Sequence, residues 1–200
     1  MDVRDRQVAT LRDGVAQVAA NPMIRARVRI ALGSVQCGSL SQKEPSMSNP
    51  HDALAGLGLA LPPAPKPVAA YVPAVRTGNM VFVSGQLPFS DGALLATGPV
   101  PSKVSIEDAQ KAARQCALNA LSVLADQLGG DLSRVVRIVR LGVFVQSDDR
   151  FDGQPKVANG ASEFMQQVFG EAGRHARAAV GTNALPLDAC VEVEVLAEVR

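Results

Sequence analysis

Two hundred residues, 47% apolar and 20% charged, suffice for one folded domain with a proper core and some chain to spare. A formal net charge of +1 gives no global basic field and so argues against nucleic acid as an obligatory partner. Three widely spaced cysteines (Cys37, Cys116 and Cys190) and two histidines (His51 and His175) fit neither a disulfide framework nor a multi-histidine metal centre.

The same cysteine usage suggests a reducing compartment. No apolar run approaches the roughly 20 residues that span a bilayer, and no apolar stretch with a cleavage site opens the chain. The expected location is therefore the cytoplasm, with no membrane partner. Tryptophan is absent and Tyr71 is the one tyrosine, so the core must be aliphatic and rich in alanine.

Residues 1–46 hold seven basic residues against four acidic ones, a balance of +3, which leaves −2 for the remainder. Val8, Leu11, Val15 and Val18 fall at helical spacing, Asn21-Pro22 ends that helix, and the stretch from Gly33 to Ser48 reads as a loop. Three readings stand side by side for 1–46. It is a basic arm for nucleic acid or membrane, a poorly ordered extension without a role, or a segment upstream of a true start at Met47. The folded domain is expected over 47–200, with its core over about 68–200.

Met47 is followed by a Ser-Asn-Pro-His turn, and Leu57 to Pro67 is a proline-rich, extended connector. Tyr71–Val75 and Asn79–Val83 read as two strands around a Thr77-Gly78 turn, and Gly85 to Gly98 as a loop or meander. The clearest helix runs from Ile106 to Leu128. Ser105 caps it, Asp108 answers in the manner of a capping box, and Gly129-Gly130 stops it. Its stripe of Ala109, Ala113, Cys116, Ala117, Ala120, Leu121, Leu124 and Leu128 allows close approach to a sheet.

Val135 to Val145 is a β-branched strand, apolar on both faces and so expected at the centre of the sheet. A second helix, started after Pro155, covers Ala158 to Phe169 and ends near Gly170. Ala178–Gly181 and Val191–Val199 then read as two strands joined at the Leu185-Pro186 turn. The order ββαβαββ predicts an α+β, two-layer domain with both helices on one sheet face. The free face must also be buried, and a domain this short is expected to cover it by oligomerising.

If the last two strands form a hairpin, Arg177 and Glu192 come close in space. Arginine offers a planar fork for a carboxylate, and a glutamate facing a cleft can polarise water or move a proton. The plainer reading is a cross-strand ion pair on a solvated face. Spacing alone leaves both open. His175 could serve as a base but reads more simply as a surface residue, and Cys190 has no histidine near it in sequence, which makes a cysteine nucleophile a poor candidate. Gly78 and Gly85 are too isolated for a phosphate loop.

The run Tyr71-Val72-Pro73-Ala74-Val75-Arg76-Thr77-Gly78-Asn79-Met80-Val81-Phe82-Val83-Ser84-Gly85-Gln86-Leu87-Pro88 resembles the N-terminal signature of the RidA/YjgF/L-PSP family. Arg177-Ala178-Ala179-Val180, Leu185-Pro186 and Val191-Glu192-Val193-Glu194 resemble its C-terminal signature, at the expected separation. The resemblance covers about residues 55–200. It implies a chorismate-mutase-like fold and a homotrimer whose sheets form a central barrel, with active-site clefts between subunits.

It further implies hydrolysis of reactive 2-imino acids, formed from enamines, to 2-keto acids and ammonia, with no metal and no organic cofactor. In that frame Arg177 binds the carboxylate of a small anionic substrate and Glu192 orients the attacking water. Tyr71, Ser84 and Asn159, the last at the front of the second helix, would line the cleft. Ala179 stands where many members have a cysteine, and Gly173-Arg174-His175 and Gly181-Thr182-Asn183-Ala184 also depart from the family's usual runs. A non-catalytic protein that binds or senses carboxylate metabolites on the same fold is the alternative. RNA cleavage, attributed to some relatives, is disfavoured by the near-neutral charge and the lack of a stacking surface.

Overall fold

An Asn-Pro pair opens the first element of the fold. Asn49 accepts a hydrogen bond from the His51 backbone N–H at 3.0 Å and Pro50 occupies the first turn, so the chain enters helix α1 (Pro50–Gly56) there. The expected turn is therefore a capped helix. The computed structural model describes residues 49–64 and 71–200. The basic stretch 1–46, its expected helix and the Met47 start lie outside the described residues. Leu54 is buried, and His51 Nε2 accepts from the Leu132 backbone N–H at 3.2 Å, which pins α1 to the rest of the unit.

Strands β1 (Ala74–Thr77) and β2 (Met80–Gln86) form the expected hairpin around Gly78. A two-residue ribbon follows, β3 (Phe89–Ser90) with β4 (Ala93–Leu94). Helix α2 (Ile106–Gln127) starts at Ser105, whose hydroxyl accepts from the Asp108 backbone N–H at 3.0 Å and donates to the Asp108 carboxylate at 2.8 Å. The capping pair thus closes through the hydroxyl itself. Gly129 and Gly130 sit at φ +69° and +90°, which favours glycine and ends the helix. The predicted alanine-rich stripe is buried along its whole length.

Strand β5 (Val135–Gln146), helix α3 (Gln154–Phe169) and strand β6 (Ala176–Thr182) follow, and β7 (Val191–Val199) closes the chain. The sheet order is β1-β2-β7-β5-β6, with β5 and β6 parallel and the other pairs antiparallel. Both long helices cover one face, where Val191, Val193, Val195, Ala197 and Val199 join the core. The α+β, two-layer reading holds; β5 is an interior strand, flanked by β7 and β6, while the middle of the sheet is β7 rather than the expected β5.

One expectation fails. β6 and β7 do not form a hairpin, because β5 lies between them. The helical crossover α3 returns β6 beside β5 in parallel. β7 places five apolar side chains in the core and has a neighbour on each side. β6, largely alanine and glycine and mostly exposed, takes the edge. A Leu-Pro turn between two short strands cannot distinguish these arrangements in sequence.

The second face of the sheet is bare in the single chain. Val75, Phe82 and Leu196 align across β1, β2 and β7, and Phe144 aligns with Val180. Val75, Phe82 and Val180 are each about half exposed, at 53%, 49% and 46%. No helix among the described residues is long and apolar enough to cross a membrane.

Candidate active site

Arg177 pairs with Leu141 in the sheet, and Leu141 is a fully buried residue beneath the helices, so Arg177 leaves β6 on the helical side. There α3 meets it. Asn159 and Ser162, three residues apart and hence on one helix face, accept from Arg177 Nη1 at 3.0 and 2.9 Å. Nη2 donates to the Pro155 carbonyl at 3.3 Å. Of the five N–H donors of a guanidinium, Nε–H and one on Nη2 keep no partner among the described residues. Nor does Arg177 form an ion pair there. α3 begins at Gln154, earlier than expected, which places Asn159 on its second turn rather than at its front.

Glu192 belongs to another part of the fold. It pairs with Phe144 and alternates with the core valines, so it leaves β7 on the side away from the helices. Counting strands, Arg177 and Glu192 stand two interstrand steps and three residues apart, roughly 14 Å between Cα atoms, on opposite faces of the sheet. The ion-pair reading is excluded on this geometry, and so is a site built by both residues of one chain.

The niche around Glu192 has a local cause. The β2–β7 register slips between Val83 and Gln86, a bulge that holds Ser84 and Gly85. A Cβ on Gly85 would stand 1.7 Å from Glu192 Oε1, so glycine is what leaves room for the carboxyl. Glu192 has no hydrogen-bond partner among the described residues. Burial pushes its pKa up, and Glu194 adds to the shift.

Beside it opens a cavity of about 990 Å³, lined by apolar residues such as Leu61, Pro73, Leu118 and Leu187 together with Tyr71 and Glu192. The polar side chains that α2 turns toward it are already engaged. Asn119 donates to the Leu87 and Phe89 carbonyls at 2.9 and 3.0 Å, and Gln115 to Phe89 at 3.1 Å, tying α2 to the loop that follows β2.

Tyr71 therefore stands with Glu192, and Asn159 with Arg177. Ser84 lies beside Gly85 in the bulge, but its hydroxyl donates to the Val72 carbonyl at 3.0 Å. It holds the Tyr71 segment in place and does not line the cavity. Cys116 and Cys190 are buried; burial pushes Cys190 up to about 11, which disfavours a thiolate. Sequence reasoning missed Ser162 and undervalued His175 and Gly85. The signal for the first two was present: Ser162 follows Asn159 by three on a helix, and His175 precedes Arg177 by two at the start of a strand.

Residues 51–199 match the family model described as "YjgF/chorismate_mutase-like, putative endoribonuclease". The chain belongs to the YjgF/RidA family. Protein TCP17 of Trypanosoma cruzi is 47% identical over 145 residues, 72% of this chain and 90% of that protein. The 2-iminobutanoate/2-iminopropanoate deaminase of Dermatophagoides farinae is 28% identical over 137 residues, 68% of this chain and 91% of that protein. The crystal structure of Atu1372 from Agrobacterium tumefaciens, a protein of unknown function, superposes with a TM-score of 0.72 at 44% identity, covering 76% of this chain and 92% of that one. YjgF/RidA relatives thus align with nearly their full length on the unit that carries Arg177 and Glu192.

Proposed function

We propose that the chain is a hydrolytic deaminase of 2-imino acids, working as a homotrimer in which Arg177 of one subunit faces Glu192 of its neighbour. The observation that carries this reading is Arg177 itself. Its guanidinium is anchored by three neutral acceptors, has no ion-pair partner among the described residues, and keeps two N–H donors for a carboxylate. The bare sheet face, with Val75, Phe82 and Val180, supports association of copies. The likeness to a named imine deaminase supports the reaction class.

In this scheme Arg177 holds the carboxylate and places the C=N carbon beside water on Glu192. Water forms the new C–O bond while Glu192 takes its proton. Glu192 passes that proton to the nitrogen to give the carbinolamine. It then takes the remaining hydroxyl proton and delivers it to the nitrogen as C=O forms and the C–N bond breaks, so ammonia and a 2-keto acid leave. A carboxyl raised by burial suits a group that accepts and returns a proton. Because an imine is already electrophilic, position supplies most of the rate. The reaction belongs to the cytoplasm in this reading.

The test is keto-acid release from imines generated in situ by an amino-acid oxidase, with the oligomer followed by light scattering. Wild type should accelerate release, and Arg177→Ala should abolish the effect in an intact trimer. Unchanged turnover in Arg177→Ala overturns the scheme. Saturable carboxylate binding without turnover would assign the same site to metabolite binding instead.

A further inference from the structure

His175, two residues before Arg177, is half-buried against α3 and has a hydrogen bond at each ring nitrogen. Nδ1 lies 2.6 Å from the Gly173 carbonyl and Nε2 lies 3.0 Å from Ser162 Oγ. A carbonyl only accepts, so Nδ1 carries the proton. In the neutral ring Nε2 is then an acceptor, and the Ser162 hydroxyl must donate to it. This turns the Ser162 lone pairs toward Arg177 Nη1, which donates to Oγ at 2.9 Å.

Every donor in the series therefore has one acceptor, and the direction is fixed from Arg177 to Gly173. Protonation of His175 would reverse one link. Nε2–H and Arg177 Nη1–H would then both donate to Oγ, and the hydroxyl would lose its acceptor. Burial, with the Arg177 charge adding to it, holds His175 below its ordinary range against the opposing pull of the Gly173 carbonyl. The other charged groups lining this depression are Glu163 of α3 and Arg174. Arg174 is paired with Glu171 at 3.3 Å, and Arg137 of β5 donates to the Arg174 carbonyl. Ser162 is buried and its oxygen already accepts from Arg177, so it is placed to transmit orientation rather than to attack a substrate.

We propose that Ser162 and His175 are positioning residues for Arg177, a directional hydrogen-bond relay that turns the two uncommitted guanidinium donors toward a bound carboxylate. This rests on the reading of Arg177 as the carboxylate clamp. Edge strand β6 gives that long side chain little support of its own, so its orientation is set by α3 and His175.

The test uses the full chain and 2-oxobutanoate as the probe, with affinity measured by calorimetry. Ser162→Ala should weaken binding roughly tenfold, Ser162→Thr should restore it, and His175→Phe should match Ser162→Ala. Nitrogen NMR of the imidazoles supplies a readout that packing alone would not move. His175 should show the Nδ1–H tautomer, and Ser162→Ala should move its Nε2 resonance, because the serine hydroxyl no longer donates to that nitrogen. Wild-type affinity in both Ser162→Ala and His175→Phe, alongside lost affinity in Arg177→Ala, overturns the relay while leaving the clamp in place. An Nε2–H tautomer in the wild type overturns it as well. Wild-type affinity in Arg177→Ala removes the clamp and the relay together.

Discussion

Replacing Gly85 by alanine isolates the placement of Glu192 from every other feature of the site. The added methyl would stand 1.7 Å from Oε1 and 2.6 Å from Cδ of Glu192, so the carboxyl must retreat by roughly 2 Å to reach ordinary contact. The obstructing atoms are the end of a flexible side chain, and Gly85 is not among the glycines of positive φ. The fold should therefore tolerate alanine, with stability within about 1 kcal/mol of wild type. Chemistry should not. A displacement of about 1 Å costs on the order of 100-fold in rate, equivalent to about 2.7 kcal/mol of barrier. We expect kcat for keto-acid release to fall by that factor, with KM little changed because Arg177 is untouched, and with the melting temperature preserved. A variant within threefold of wild-type kcat, in a crystal structure showing Glu192 displaced, would refute a catalytic role for the carboxyl in this niche.

Glu192→Gln keeps the shape and removes the charge. The folded-state pKa of Glu192 is raised, so its contribution to stability is full below the ordinary value of 4.5 and is lost as pH rises through the folded value. At pH 7 the ionised carboxyl therefore weakens the fold, and Glu192→Gln should melt no lower than wild type while losing turnover; thermal scans at pH 4 and pH 7 check the sign. Phe82→Glu places a fourth carboxylate on the bare face that already presents Glu192, Glu194 and Glu198. It should give monomers by light scattering and abolish turnover without altering Arg177 or Glu192. Leu54→Ala removes a buried anchor of α1 and should cost about 2–3 kcal/mol, lowering the melting temperature by roughly 5–10 °C.

The elements most legible in sequence were those whose burial follows one period. The stripe on α2 and the alternation of β7 both reappear as core faces, because core contact alone fixes their phase. Neighbour order was less legible. β6 pairs with β5 because a helix carries the chain back, and a short alanine-rich strand holds no record of its partner. Asn49-Pro50 carried the start of α1 in plain terms, yet the same dipeptide also begins turns.

The site followed the same division. Arg177 and Glu192 stood out through the flanking signatures, and Asn159 and Tyr71 came with them to the two halves of the site. Ser162 and Asn119 did not, since a polar residue inside a helix declares its role only when its hydrogen-bond partner is known. Gly85 was equally silent, because its value lies in an atom it lacks.

The position of β5 between β6 and β7 has a genetic consequence. In the proposed trimer each site draws its clamp and its proton carrier from different copies, so lesions in these two residues complement one another. Subunits carrying Arg177→Ala, mixed with subunits carrying Glu192→Gln, regain one intact site in every mixed ring. The heritable unit of this chemistry is then the contact between two chains, and a cell with two differently damaged alleles keeps part of the activity that either allele alone has lost.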